Sequence, residues 1–408
     1  MPSRIPYRLT ESVCVFSLFA CNSLAVVTTD GPMVLSSDFG PPGSGGSFFG
    51  SSMAVGNGIA GVANSLAEAD VYVRSPTSGW DFSIALPMPF AGTNFASYFV
   101  GEPVSVDGDV VLLGETQAPV WPNDEQGEID SYLLQNDEWR LNQNLFDFRT
   151  GAAYDHFGSA VATDGSELVV GASADDTRPG VAYSATLADG IWQMQQWIAP
   201  KDGGVGDGFG TAVAIEGDTL IIGASSAIDG SATKAGAAYV YAFIAGVWQQ
   251  VQKLSSTHSV DGGSFGARVS VSGNWIAVAA PCESVGTVST AGYVYLFQQS
   301  GGIWELKQTL SDPSPTTPGA FGGALDMKKN QLVVGELGAD TAFVYKLVGS
   351  VWTKYASMTG KPGGAFGASA AISESTGEIL VGAPFEDLHA GHVYVFANDK
   401  IFSDGYEP

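Results

Sequence analysis

The dipeptide Phe-Gly returns along this chain at a long, nearly regular interval. The copies are Phe49-Gly50, Phe157-Gly158, Phe209-Gly210, Phe265-Gly266, Phe321-Gly322 and Phe366-Gly367. Val100-Gly101 stands where a seventh is due, so successive openings lie 51, 57, 52, 56, 56 and 45 residues apart. A period of this length restricts the chain to an array of supersecondary units. No single unit can bury a core alone, so each must pack on its neighbours.

The register inside the unit is tighter than the period. Fourteen residues after the opening aromatic or Val stand Gly114, Gly171, Gly223, Ala279 and Gly335. The last repeat takes sixteen residues to reach Gly382, because SESTGE adds two turn residues, and the degenerate first repeat has Ala63 there. A constant spacing between different side chains indicates a hairpin of fixed length. The tips agree: Asp107-Gly108, Asp164-Gly165, Glu216-Gly217 and Ser272-Gly273 each offer a Gly where positive φ is needed. In the copy running from Phe209, TAVAI reads as a first strand and TLIIGA as a second, apolar enough to be covered on both faces. AAYVYAF is a third strand and VWQQVQKL a half-exposed fourth. Four strands every 40–50 residues or so is the rhythm of a propeller blade, so the expected fold is all-β: a seven-bladed β-propeller of four-stranded antiparallel blades. Trp80, Trp139, Trp192, Trp248, Trp304 and Trp352 open the fourth strands. They read as blade-packing core, each able to bury ~150–250 Å², with a sugar-stacking platform as the alternative.

Composition fits this reading and narrows the partners. There are 53 Gly and only 14% charged residues beside 45% hydrophobic ones, the balance of short strands joined by tight turns. A net charge of -25 repels phosphate backbones, so nucleic acid is not expected as a partner. The three cysteines, Cys14, Cys21 and Cys282, supply no zinc or disulfide framework, and Cys282 reads as a small loop residue.

Four segments are expected. Residues 1–22 have the order of an export signal: Arg4 and Arg8, then the short apolar core SVCVFSLFA from Ser12 to Ala20. Leu18-Phe19-Ala20-Cys21 is similar to a lipobox, so a lipid anchor at Cys21 is the alternative to free secretion after Ala20. Residues 23–47 form a linker, with a strand-like run from Leu24 to Leu35 ahead of GPPGSGGS. The repeats occupy 48–402 and a tail 403–408. No later stretch is apolar for 18 residues, so no transmembrane segment is expected in the mature chain. In the seventh copy Ile401-Phe402 replaces the Val-Trp start of the fourth strand and the blade stops short. An open ring leaves unpaired edges, and the Leu24–Leu35 run is the strand expected to complete it.

FGTAVAIEGDTLIIGAS, FGARVSVSGNWIAVAAPC and FGASAAISESTGEILVGAP resemble FG-GAP repeats, over almost the whole of 48–402. The resemblance implies the seven-bladed propellers of integrin α-subunits and of bacterial exported proteins. It further implies a secreted, cell-surface or outer-membrane location and a binding or adhesion role. Integrin-type repeats often carry calcium on D-x-D-x-D-G loops. Here SADDTRPG, SSAIDGSATKAG, CESVGTVSTAG and FEDLHAG offer no three alternating carboxylates. Calcium takes roughly six to eight oxygens, so Asp175, Asp176, Asp229, Glu386 and Asp387 are isolated candidates.

Catalytic chemistry is sparse. His389 and His392 lack an evident third zinc ligand. Asp155-His156 has the makings of a dyad but no nucleophile motif beside it. Its period-matched slot holds Gly208, Ser264, Ala320 and Ala365, which argues against a repeated structural role. No catalytic residue is assigned. The expectation is a non-enzymatic propeller that binds an extracellular protein or glycan through variable second-to-third-strand loops, chiefly Thr116–Gly127 and Ser225–Gly236. The alternatives are a hydrolase or polysaccharide lyase with paired carboxylates, and a passive scaffold.

Overall fold

The second strand of each unit is apolar on both faces, which is stable only if both faces are covered. In Thr219–Ala224, Leu220, Ile221, Ile222 and Ala224 are all fully buried. The computed structural model shows what covers them. It describes residues 27–30, 33–42, 48–64, 68–75, 77–87, 103–116, 118, 120, 126–147, 155–174 and 178–398. These form seven antiparallel sheets, the blades of a propeller.

Blade 1 comprises Ser52–Gly56, Ile59–Asn64, Glu68–Ser75 and Gly79–Pro87. Blade 2 comprises Val104–Asp107, Val110–Glu115, Glu128–Gln135 and Glu138–Leu145. Blade 3 runs from Phe157–Thr163 to Ile191–Ile198, blade 4 from Phe209–Glu216 to Val247–Leu254, and blade 5 from Arg268–Ser272 to Ile303–Leu310. Blade 6 runs from Phe321–Lys328 to Val351–Thr359, and blade 7 begins with Ser369–Ile372 and Ile379–Ala383. First strands pack against first strands around the axis, and that of blade 7 meets that of blade 1. Each apolar cluster is shared by two successive blades. One joins Ile221 and Val240 of blade 4 to Val278, Tyr295 and Trp304 of blade 5. Val100 and Gly101, the degenerate opening of blade 2, lie outside the described residues.

The repeated dipeptide is a joint between blades. Its phenylalanines are at most 1% exposed. The residue before each of Phe49, Phe157, Phe265, Phe321 and Phe366 is left-handed, with φ from 49° to 58° at Phe48, His156, Ser264, Ala320 and Ala365. That corrects the reading of the His156 slot: it is a repeated structural position, but the requirement falls on the backbone, so the side chains vary. Five joints also use a Gly in the preceding blade, Gly127, Gly180, Gly236, Gly292 and Gly391, while Asp340 takes that place in blade 6. Gly236 has φ 91°, and a Cβ on it would stand 2.0 Å from the Phe265 carbonyl oxygen.

The recurrent tryptophans are core. Trp80, Trp192, Trp248, Trp304 and Trp352 are 1–6% exposed, and Trp139 is half-buried. Four residues after the Trp, an outer-strand Gln clasps the backbone of the next blade's Trp. Gln196 Nε2 donates to Trp248 O at 2.8 Å while Trp248 N donates to Gln196 Oε1 at 2.7 Å. Gln143, Gln252 and Gln308 repeat this on Trp192, Trp304 and Trp352.

The ring closes through the N-terminal run, with different bounds from those expected. Met33–Phe39 pairs antiparallel with His392–Asn398, from Met33↔Asn398 to Phe39↔Val393, and becomes the outer strand of blade 7. The strand therefore reaches four residues beyond Leu35. Thr28–Asp30 goes elsewhere, adding a fifth strand to blade 6 against Val351–Thr359. Arg74 of blade 1 also grips Glu378 of blade 7 with two bonds of 2.9 and 2.8 Å. Residues 1–22, 43–47 and 401–408 lie outside the described residues. Among the described residues, no helix is long and apolar enough to cross a membrane.

Candidate functional site

The strand order puts the second-to-third-strand loops on one rim, with the entry to every first strand. Of the isolated acids proposed for calcium, Asp229, Glu386 and Asp387 are described, and each has its own local partner. Asp229 is in a two-residue turn, bridged backbone to backbone with Ala232. Asp387 is taken by His392 Nε2 at 2.6 Å. Asp175 and Asp176 lie outside the described residues. Glu386 is 3% exposed, accepting from the Tyr394 hydroxyl at 2.5 Å and facing Lys361 Nζ at 2.8 Å. Among the described residues, Asp229 lies on blade 4 and the pair Glu386 and Asp387 on blade 7. His389 packs its ring on Phe48 and Phe385, so it and His392 serve different partners. Asp155 is paired with Arg178 at 2.6 Å, not reserved for His156. Cys282 is disulfide-bonded, which corrects the expectation that the cysteines supply no disulfide.

Beneath the same rim the third strands carry a repeated polar position. Ladder register aligns Asp70, Asp130, Tyr183, Tyr239, Tyr295, Phe343 and Tyr394, one per blade. Tyr183, Tyr295 and Tyr394 satisfy buried acids. Tyr183 donates to Asp147 at 2.7 Å and Tyr295 to Glu283 at 2.5 Å. Ser256 and His258 Nδ1 also reach the Tyr295 hydroxyl, each at 2.9 Å. Burial, reinforced by neighbouring acids, raises Tyr239, Tyr295 and Tyr394 far above their ordinary range, so these hydroxyls keep their protons.

Blades 1, 2 and 6 depart from tyrosine at this position, with Asp70, Asp130 and Phe343, and in blade 2 two more acids stand beside the aspartate. Glu115 and Glu128 are cross-strand partners at the end of the second and start of the third strand, and Asp130 follows two residues on. One carboxylate oxygen from each of the three lies within 4.8 Å of the others, and all three residues are buried. Asn144 Nδ2 donates to Asp130 Oδ1. Glu128 Oε1 and Asp130 Oδ2 have no hydrogen-bond partner. Burial, then the Asp130 charge, pushes Glu128 up to about 7; burial holds Asp130 at about 6 although Glu115 and Asn144 pull it down. The three acids come from GETQ and GEIDS, which carry no metal motif. The signal that could have found them is the pair Glu115 and Glu128 at facing strand ends beside an Asp in a slot that four copies fill with Tyr.

Two surface features remain. Ser225–Gly236, between the second and third strands of blade 4, is a small hairpin of its own, with Ile228 59% exposed just before the Asp229–Ala232 turn. The blade 5 loop has the same build through the Val285↔Val288 bridge. Of Thr116–Gly127, only residues 116, 118, 120, 126 and 127 are described. The other feature is Trp197, which is outside the recurrent set and 50% exposed. It stands between a groove lined by Phe146, Tyr183 and Met194 and another lined by Lys201, Tyr241 and Gln250.

No curated protein matches this chain. A family model described as the FG-GAP repeat matches residues 139–185, 192–241 and 248–297. Each match starts on the outer strand of one blade and ends in the third strand of the next, so the family unit straddles the joint that Phe-Gly and the Gln clasp hold together. What this chain builds its seven-bladed propeller from is, in these three copies, the FG-GAP repeat.

Proposed function

We propose that this chain is an exported, non-enzymatic binding propeller that holds an extracellular protein or glycan on its second-to-third-strand rim, with adhesion as its use. The observation that carries this is the division of labour in the repeat. Phe-Gly, the strand glycines, the tryptophans and the clasping glutamines are consumed in joints between blades. What varies between copies is the rim, where Ser225–Gly236 forms an ordered hairpin with the exposed Ile228 beside its turn. Export rests on Arg4, Arg8 and the apolar Ser12–Ala20 core.

The mature chain, used as bait on culture medium and cell-surface fractions, should capture one ligand. Exchanging 225–236 or 116–127 for another blade's loop should abolish that capture without changing the melting midpoint. Capture unaffected by both exchanges removes the rim reading. A second reading, glycan stacking on Trp197, is favoured by its half-exposed indole between two grooves; Trp197→Ala would then abolish capture while the loop exchanges leave it. Mass spectrometry of the mature N-terminus checks cleavage after Ala20 and any lipid on Cys21.

A further inference from the structure

We propose that Glu115, Glu128 and Asp130 form a binding site for one hard divalent cation at the base of the Thr116–Gly127 loop. The three carboxylates approach within 4.8 Å of one another in the interior of blade 2. Glu128 is 5% exposed and Asp130 fully buried, and each carries a buried oxygen with no hydrogen-bond partner. Neither forms an ion pair among the described residues. Burying a carboxylate without a partner is expensive, and like charges at this distance add to the cost. A divalent ion removes both penalties at once.

The internal repeat strengthens the inference. Where Tyr183, Tyr295 and Tyr394 donate a hydroxyl to an acid, blade 2 supplies a further carboxylate. The scaffold position that is a donor in those blades is an acceptor here, so the strand supplies no hydroxyl to the unpartnered oxygens of Glu128 and Asp130. Three carboxylates offer up to six oxygens and no nitrogen or sulfur, which selects calcium, magnesium or manganese over zinc or copper. Glu115 and Glu128 flank the loop, so the ion would tie the second strand to the third where the loop leaves the blade. This site is separate from the rim acids Asp229 and Asp387.

The test is metal content and melting of the full mature chain, stripped by dialysis against chelator and returned to Ca²⁺, Mg²⁺ or Mn²⁺ separately. The expected result is about one equivalent of at least one ion retained after desalting, and a midpoint raised by ~2 °C or more. Glu128→Gln and the pair Glu128→Gln/Asp130→Asn should lose both effects; Asp229→Asn and Asp387→Asn should keep both. Should the pair not fold, Glu128→Gln alone and the wild-type content decide. Retention below about a tenth of an equivalent for all three ions in the wild type overturns the proposal. So does binding that survives Glu128→Gln but is lost in Asp229→Asn or Asp387→Asn.

Discussion

At the scale of the residue, the commonest amino acid of this chain has two different uses, and substitution separates them. Gly236 and Gly246 both have positive φ, at 91° and 82°. A Cβ on Gly236 meets the next blade's backbone at 2.0 Å, whereas Gly246 has nothing within 4 Å. Gly246→Ala should therefore cost only the left-handed backbone term, about 1 kcal/mol. Gly236→Ala adds a backbone clash that no rotamer relieves and should cost ~3 kcal/mol or more. Denaturant unfolding of the two variants checks this; equal losses would mean that the joint yields. Sequence alone marks both as glycine and cannot rank them, since the partner atom of Gly236 lies 29 residues away in another blade.

At the scale of the element, the strand that closes the ring is the least repetitive and the most exposed to loss. Met33–Phe39 covers the edge of His392–Asn398. A chain beginning at Gly40 would leave that edge free in blade 7, and free edges pair with other chains. Light scattering should show oligomers for the truncated chain and a monomer for the longer one, with a lower melting midpoint for the former. A truncated chain that stays monomeric and melts unchanged refutes the strand's closing role. The need for such a strand was legible from the short seventh copy. Its bounds were not: alternation is weak in MVLSSDF, and register is set by the Val393–Asn398 edge, which local propensity does not report.

At the scale of the whole molecule, buried acids and net charge act in the same direction. Glu336 is fully buried, and burial, then the nearby Asp312, pushes it up to about 8 from an ordinary value near 4.5. Burial likewise raises Glu283 and Asp340. An acid raised in this way keeps its proton in the folded state after the unfolded chain has released it. Between about 4.5 and about 8 the folded state therefore binds more protons, and stability falls as pH rises. Self-repulsion of a chain with net charge -25 adds to the fall. Melting in chelator from about pH 5 to 8.5 should show a declining midpoint, with a shallower slope in Glu336→Gln. A midpoint that climbs over this range, or a slope that the variant leaves unchanged, would falsify the assignment.

The sequence by itself determined the architecture: Phe-Gly spacing, hairpin tips and doubly apolar second strands are local or periodic signals, and a repeat multiplies each of them seven times. The recurrent tryptophans could be assigned to packing for the same reason. Tertiary structure alone decided what the copies do not share. The Gln196–Trp248 clasp joins residues 52 apart, and the carboxylates of Glu115 and Asp130 meet only because an antiparallel ladder folds one strand back on the other. Trp197 is exposed because of its place on an outer strand, and its residue type does not reveal that. Periodicity reports what every blade must satisfy; the sites that differ between blades are made by contacts across the ring, where no sequence spacing repeats.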